Sequence, residues 1–424
     1  MTMQRPLILP LALALAGLSA MATRAPELLL KPADHQKLGA VVGDYFKAYE
    51  AEKGVSEAYE KLEEERQKVQ KRLAKELPDG DLLSATEDWQ EILRQATELD
   101  ERGVKKKGGV EPRIYKDERF GEYPIAISTP AKYSAKTGPY PLVLCIPPKG
   151  KKAADHLASD WIDPAAKELA IIAACDMPTN ERMWTALGSS PENHGGIDTV
   201  MLSLKSIKST HAVDVDRIFL AGFGEGVAAA ARIAATYPHV FAGVIGRAGD
   251  LDDLPPTNFR SLPTFFAGGG EKCTTFQTKA KEEGFENVTL SAAATEADVW
   301  TWVQATRRTA NPLDVSLSPL QEYNLQAYWL KVAGVDPAGS KIRAKVDRAT
   351  NTIQIESSGI STAILSFNDL IVDLSKPVKV VCNGTASEDF IPRNMKTMLE
   401  NAYNSNDPGR VYVYFHSYDI PVAK

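Results

Sequence analysis

Hydrophobic positions change their spacing twice along this chain, and the two changes divide it into three parts. Between about residues 33 and 101 the apolar residues recur at three- and four-residue steps: Leu38, Val41, Val42, Tyr45, Phe46 and Tyr49 make one helical stripe. A sparser stripe follows, with Val55, Tyr59, Leu62, Val69, Leu73 and Leu77, and Pro78-Asp79-Gly80 ends it. Ser84 with Glu87 reads as a capping box for a third helix bearing Trp89, Ile92, Leu93 and Ala96. From about 112 to 312 short continuous apolar runs alternate with amphipathic segments. Strands are predicted at 123–128, 140–146, 169–175, 217–221, 242–246, 262–267 and 287–291. Helices are predicted at 162–168, 196–209, 226–237, 274–283 and 296–306. Strands apolar on both faces and alternating with helices imply a mostly parallel, doubly wound α/β sheet covered on both sides. Beyond residue 312 the runs alternate apolar and polar with frequent turn residues, as in KIRAKVD and NTIQIES, which predicts an antiparallel β-sandwich-like domain.

The expected organisation is a signal peptide at 1–22, a helical segment at 30–105, an α/β domain at 110–312 and a β-rich domain at 313–424. The first expectation rests on Arg5, the apolar run from Pro6 to Leu18 and the small-residue site Ala20-Met21-Ala22. That run is shorter than the roughly 20 residues needed to span a bilayer. An exported protein, periplasmic or extracellular, with no transmembrane segment after cleavage is therefore expected. Removing Arg5 takes the formal net charge from −6 to −7. Such a balance offers no general attraction to nucleic acid, and Lys105-Lys106-Lys107 followed by two glycines reads as a solvated linker. Three of the four cysteines, Cys145, Cys175 and Cys382, lie in apolar runs and read as buried thiols. No cofactor or metal is expected, because no CxxC pair occurs.

Candidate chemistry centres on FLAGFGEGVAAAA at 219–231, where a strand gives way to a helix through Gly222-Phe223-Gly224-Glu225-Gly226. With DVDRIFLAG before it and AATYPHVFAGVIG after it, the stretch resembles the nucleophile turn G-x-S-x-G of the α/β-hydrolases, in the dienelactone-hydrolase, depolymerase and prolyl-oligopeptidase-like branch. The resemblance implies an esterase- or peptidase-like ancestry over about 112–312. It also implies a serine at the turn, where this chain has Gly224, and a glycine has no side chain with which to attack a carbonyl. An acid is implied after a later strand, where Glu271 stands. A histidine is implied near a tryptophan-containing helix, where Glu296 and Asp298 stand instead. The expected pocket comprises Lys149, Gly150, Phe223, His194, Glu296 and Asp298 around the degenerate turn.

Three functions compete on this reading. One is a pseudoenzyme that binds a small-molecule, peptide or glycan ligand or acts as a scaffold. Another is an active hydrolase of ester or amide bonds working through His194 or through Glu225, Glu271, Glu296 and Asp298 gathered as acid, base or cation ligands. In the third, Tyr328, Trp329, Tyr412, Tyr414 and Tyr418 of the β-rich domain stack on glycans. A dinucleotide-binding turn is excluded: Val227 stands where G-x-G-x-x-G needs its last small residue, and Asp250 falls too late for the ribose.

Overall fold

The computed structural model describes residues 28–96, 99, 107–117, 121–190, 193–336 and 339–422. The expected signal peptide at 1–22 and Lys105-Lys106 lie outside them. Three helices come first: α1 (Pro32–Glu50), α2 (Val55–Leu73) and α3 (Thr86–Ala96). Leu38, Val42 and Tyr45 of α1 and Trp89 and Ile92 of α3 are buried, as their spacing demands, while α2 buries only Leu62 and Val69. The start of α3 differs from expectation. Ser84 belongs to a short 3-10 turn and donates its hydroxyl to the Asp81 carbonyl, and the Asp81 carboxylate accepts from the Leu83 amide. An aspartate already capping that turn shifts the helix start to Thr86. On α3, buried Asp88 accepts the Leu29 and Leu30 amides and lies 2.7 Å from His35 Nε2, which ties α3 to the beginning of α1.

The central sheet has eight strands: β1 (Val110–Asp117), β2 (Gly121–Ser128), β3 (Tyr140–Ile146), β4 (Ile171–Cys175), β5 (Val213–Phe223), β6 (Gly243–Arg247), β7 (Thr264–Ala267) and β8 (Val288–Ser291). Their order is β1-β2-β4-β3-β5-β6-β7-β8. The pairings β1–β2 and β2–β4 are antiparallel and the other five parallel. Strand β1 was not foreseen, since its alternation is broken by charges and by Pro112. An edge strand, half exposed and paired on one side only, tolerates both.

Alternate residues of the inner strands enter opposite cores. Leu142, Leu144, Ile218 and Leu220 pack with α6 (Gly196–Thr210), α7 (Gly226–Thr236) and α8 (Glu271–Glu282). Val143, Cys145, Phe219 and Ala221 pack with α4 (Ala153–Ser159), α5 (Pro164–Leu169) and α9 (Glu296–Ala305). That alternation explains why the strands read as unbroken apolar runs.

After α9 come β9 (Asp314–Leu317), β10 (Gln326–Ala327), β11 (Leu330–Val335), β12 (Lys341–Asp347), β13 (Thr352–Ser358), β14 (Ile360–Phe367), β15 (Val378–Cys382), β16 (Thr385–Asp389), α10 (Met395–Ser405) and β17 (Tyr414–Asp419). They form a four-stranded sheet, β10-β11-β14-β17, and a five-stranded one, β16-β15-β13-β12-β9. Pairing is antiparallel except between β13 and β15. Helix α10 was not anticipated, although Asn394 caps it and Met395, Met398, Leu399 and Ala402 make a helical stripe. The aromatic positions considered for glycan stacking are mostly core: Tyr328, Trp329, Tyr412 and Tyr418 are buried and Tyr414 is half-buried. Tyr328 and Trp329 form the turn between β10 and β11 and Tyr412 precedes β17, so loop packing buries them, while Tyr414 and Tyr418 lie in β17 itself.

The helices at the start of the chain share a single hydrophobic core with these two sheets rather than with the eight-stranded one. Phe46 and Tyr49 meet Tyr403 of α10 at ring distances of 5.5 and 5.1 Å, and Gln90 donates to the Gly409 carbonyl at 2.8 Å. Where this unit meets the eight-stranded sheet, the buried Arg308 guanidinium bonds the carboxylates of Asp216 on β5 and Asp407 after α10, and Arg94 of α3 reaches Asp216 at 3.1 Å. All four cysteines are buried and free. Among the described residues, no helix is long and apolar enough to cross a membrane.

Candidate functional site

Strand β5 ends, the chain turns sharply, and α7 begins within three residues. A Cβ on Gly222 would lie 2.3 Å from the Gly226 carbonyl oxygen, so the turn closes only over a glycine. Gly224 at the apex has φ +53°, and its amide donates to the Arg247 carbonyl at the end of β6. The space above it is open: a Cβ there would make ordinary contact with Pro148 at 3.5 Å. The fold therefore keeps room for a side chain at the position that has none.

Across the turn lies the loop after β3. The Lys149 amide donates to Glu225 Oε2 at 3.3 Å, and the Lys149 ammonium pairs with Glu181. Lys149, Gly150 and Glu225 are exposed. In serine hydrolases of this fold, an amide of the β3 loop and the amide following the nucleophile form the oxyanion hole. Here a carboxylate already engages the loop amide, and a second negative oxygen would be repelled from it.

Glu271, expected as the acid after β7, is exposed in the first turn of α8. The carboxylate that organises this corner is Asp250, which follows β6 and accepts the amides of Leu251, Lys272 and Cys273. Burial works against its charge, but the three amides outweigh it and hold the carboxyl below its usual value. Nothing local in the sequence links Asp250 to the helix start at Glu271, so along the chain it suggests only a ribose ligand that comes too late.

Where the histidine was sought, α9 opens with a reciprocal cap. Asp298 N–H donates to Thr295 Oγ1 while Asp298 Oδ2 accepts the Thr295 amide at 2.8 Å. Glu296 accepts the amides of Ile162 and Asp163 at 3.2 and 3.1 Å. The four acidic residues considered for shared acid, base or cation chemistry are thus separately engaged or solvent-facing. Among the described residues, no group of three or more His, Cys, Asp or Glu side chains is placed to hold a metal ion. His194 lies edge-on to Tyr123 of β2, with ring centroids 5.0 Å apart.

His156, on α4, packs against the turn. Its ring meets Phe223 edge-on at 4.4 Å, and its Nδ1 lies 2.6 Å from Asp160 Oδ2. The ring is fully buried, and burial pushes its pKa down to about 4 despite the Asp160 carboxylate.

A cleft of about 430 Å³ opens beside the turn at the carboxyl ends of β5, β6 and β7. This is where ligands bind on parallel sheets. Of the residues expected in the pocket, Phe223 and Glu296 line it. Lys149, Gly150, His194 and Asp298 do not. Arg247 and Asp160, which the sequence reading overlooked, do. Arg247 closes the apolar run AGVIG with a lone charge, and that placement was a legible signal. Its guanidinium lies over Phe223 at 4.7 Å and Trp161 at 5.2 Å. One nitrogen, Nη1, donates to the Asp160 carbonyl at 2.9 Å and sits 3.9 Å from Glu296.

The family model described as Esterase PHB depolymerase matches residues 174–251, from the end of β4 through the turn to Leu251. No curated protein matches the chain. Similar solved structures include a thermostable esterase at 18% identity and TM-score 0.38, covering 47% of this chain and 63% of that one. An S-formylglutathione hydrolase from Agrobacterium tumefaciens is similar at 15% identity and TM-score 0.35, covering 44% of this chain and 87% of that one. A ferulic acid esterase from Anaeromyces mucronatus is similar at 13% identity and TM-score 0.37, covering 50% and 96%. The strand order of the sheet and the glycine turn between β5 and α7 are those of an α/β-hydrolase fold, and the segment similar to the Esterase PHB depolymerase family contains that turn.

Proposed function

We propose that this protein is an exported α/β-hydrolase-fold pseudoenzyme that performs no serine hydrolase chemistry and acts by binding. The observation that carries the reading is Gly224 at the apex of an otherwise intact turn. Position 224 offers no hydroxyl for attack, and no histidine occurs between β8 and the end of α9 to serve as base. The Glu225 carboxylate on the Lys149 amide supports the same conclusion, since it opposes the negative oxygen that acyl transfer develops. Export rests on Arg5 and the apolar run up to Leu18.

The test is incubation of the purified protein with short-chain aryl esters, peptidyl amides and a fluorophosphonate probe. Neither turnover nor labelling is expected. Ester turnover that disappears in Glu225→Gln or His156→Ala would overturn the reading and assign the protein a hydrolytic mechanism without serine.

A further inference from the structure

We propose that the cleft beside the turn binds a small monocarboxylate with an apolar body, its carboxylate held by Arg247. The proposal deepens the binding role above and rests on it. Arginine carries five N–H donors in a fixed plane. Among the described residues only Nη1 of Arg247 has a hydrogen-bond partner, the Asp160 carbonyl. Stacking on Phe223 and Trp161 fixes the plane of the guanidinium, and the side chain keeps 21% of its surface open. The remaining edge, Nε and Nη2, is the pair of parallel donors that a carboxylate accepts in bidentate fashion.

Other charges at the cleft limit what can join it. Glu296, 3.9 Å from Nη1, has both carboxylate oxygens committed to backbone amides, and both Asp160 oxygens are bonded by Lys151. Neither acid is left free to attract a cationic ligand, and both disfavour a doubly charged anion such as phosphate. Around Arg247 the walls are apolar: Phe223, Ala267, Ala292 and Ala294, with Ile162 exposed at 67% on the rim. A volume of about 430 Å³ lies toward the low end for small-molecule sites, which favours a compact acid.

Calorimetric titration of the full protein with phenylacetate and hexanoate, and with phenylacetamide as a neutral isostere, tests the assignment. Phenylacetate is expected to bind at least about tenfold more tightly than phenylacetamide, the worth of one charge-assisted pair. Arg247→Met is expected to remove that difference. Ala292→Trp, which leaves Arg247 in place and fills the cleft from an exposed position, is expected to abolish binding of both acids. Equal affinity for acid and amide, unchanged binding in either folded variant, or no binding of either acid overturns the proposal. These results are separable from the hydrolysis assay. Turnover of aryl esters would defeat the pseudoenzyme reading whatever the acids do, and absent binding without turnover would defeat only the carboxylate site.

Discussion

The backbone amide of Lys149 donates to the carboxylate of Glu225, 3.3 Å away, across the mouth of the turn between β5 and α7. Two loops that would cooperate on a negative oxygen in an esterase are joined instead by a negative side chain of the protein itself. That contact sets a negative charge at the mouth of the turn.

That geometry makes Gly224→Ser an informative variant. A Cβ has room there, at 3.5 Å from Pro148, while φ +53° costs a non-glycine residue about 1–2 kcal/mol. The variant should fold with that modest loss in a urea melt and still show no aryl-ester turnover, because no base follows β8. Gly222→Ala should lose about 3 kcal/mol or more, since its Cβ would meet the Gly226 oxygen at 2.3 Å. Esterase activity appearing in Gly224→Ser would mean that a base is already in place.

Arg308 is expected to be the most sensitive charged position. It is buried between Asp216 and Asp407, and Arg308→Met would leave buried Asp407 without its ion-pair partner and Asp216 with only Arg94 and Arg307. Breaking such a network costs about 3–5 kcal/mol. Adding Asp216→Asn and Asp407→Asn to the variant should recover part of the loss, because the stranded charges are then gone. Chemical denaturation of the three proteins measures both effects.

Acid should weaken the fold in two separate windows. Burial pushes His156 and His211 down to about 4 from an ordinary 6.5, so the unfolded chain binds protons first as pH falls. Stability is then complete above 6.5 and declines toward 4, by up to about 3 kcal/mol per histidine. Asp407 acts at lower pH: burial alone would raise its carboxyl, but Arg308 holds it far below 3.8. Its contribution is present above 3.8 and is lost as pH falls below that value. Urea midpoints measured across this range should fall in both windows, and His211→Asn should flatten the upper one.

An isolated 313–424 fragment should not fold cooperatively. Its core is completed by α1 and α3, through contacts such as Phe46 and Tyr49 on Tyr403. Removing them exposes a continuous apolar surface. The fragment is expected to lack a cooperative thermal transition and to regain one when residues 28–96 are supplied as a second chain. A cooperative melt of the fragment alone would contradict the shared core.

The sequence by itself determined whatever depends on short-range spacing. Strand β3 coincides with its predicted range at 140–146, because residues buried on both faces leave an unbroken apolar run. Gly222, Gly224 and Gly226 announce the turn, and the glycine at 224 and the lack of a histidine from 288 to 305 can be read directly from the chain. Helix α10 shows the limit of such reading: its cap and stripe were present but lay among alternating strands, and alternation prevailed. Only the tertiary structure decided which surfaces meet. It placed α1 and α3 on the C-terminal sheets, brought Arg247 from β6 over Phe223 from β5, set Glu225 on the Lys149 amide, and gave α8 the carboxylate of Asp250. Periodicity reports that a residue is buried or a turn is tight; the partner that buries it is chosen by packing between segments far apart in the chain.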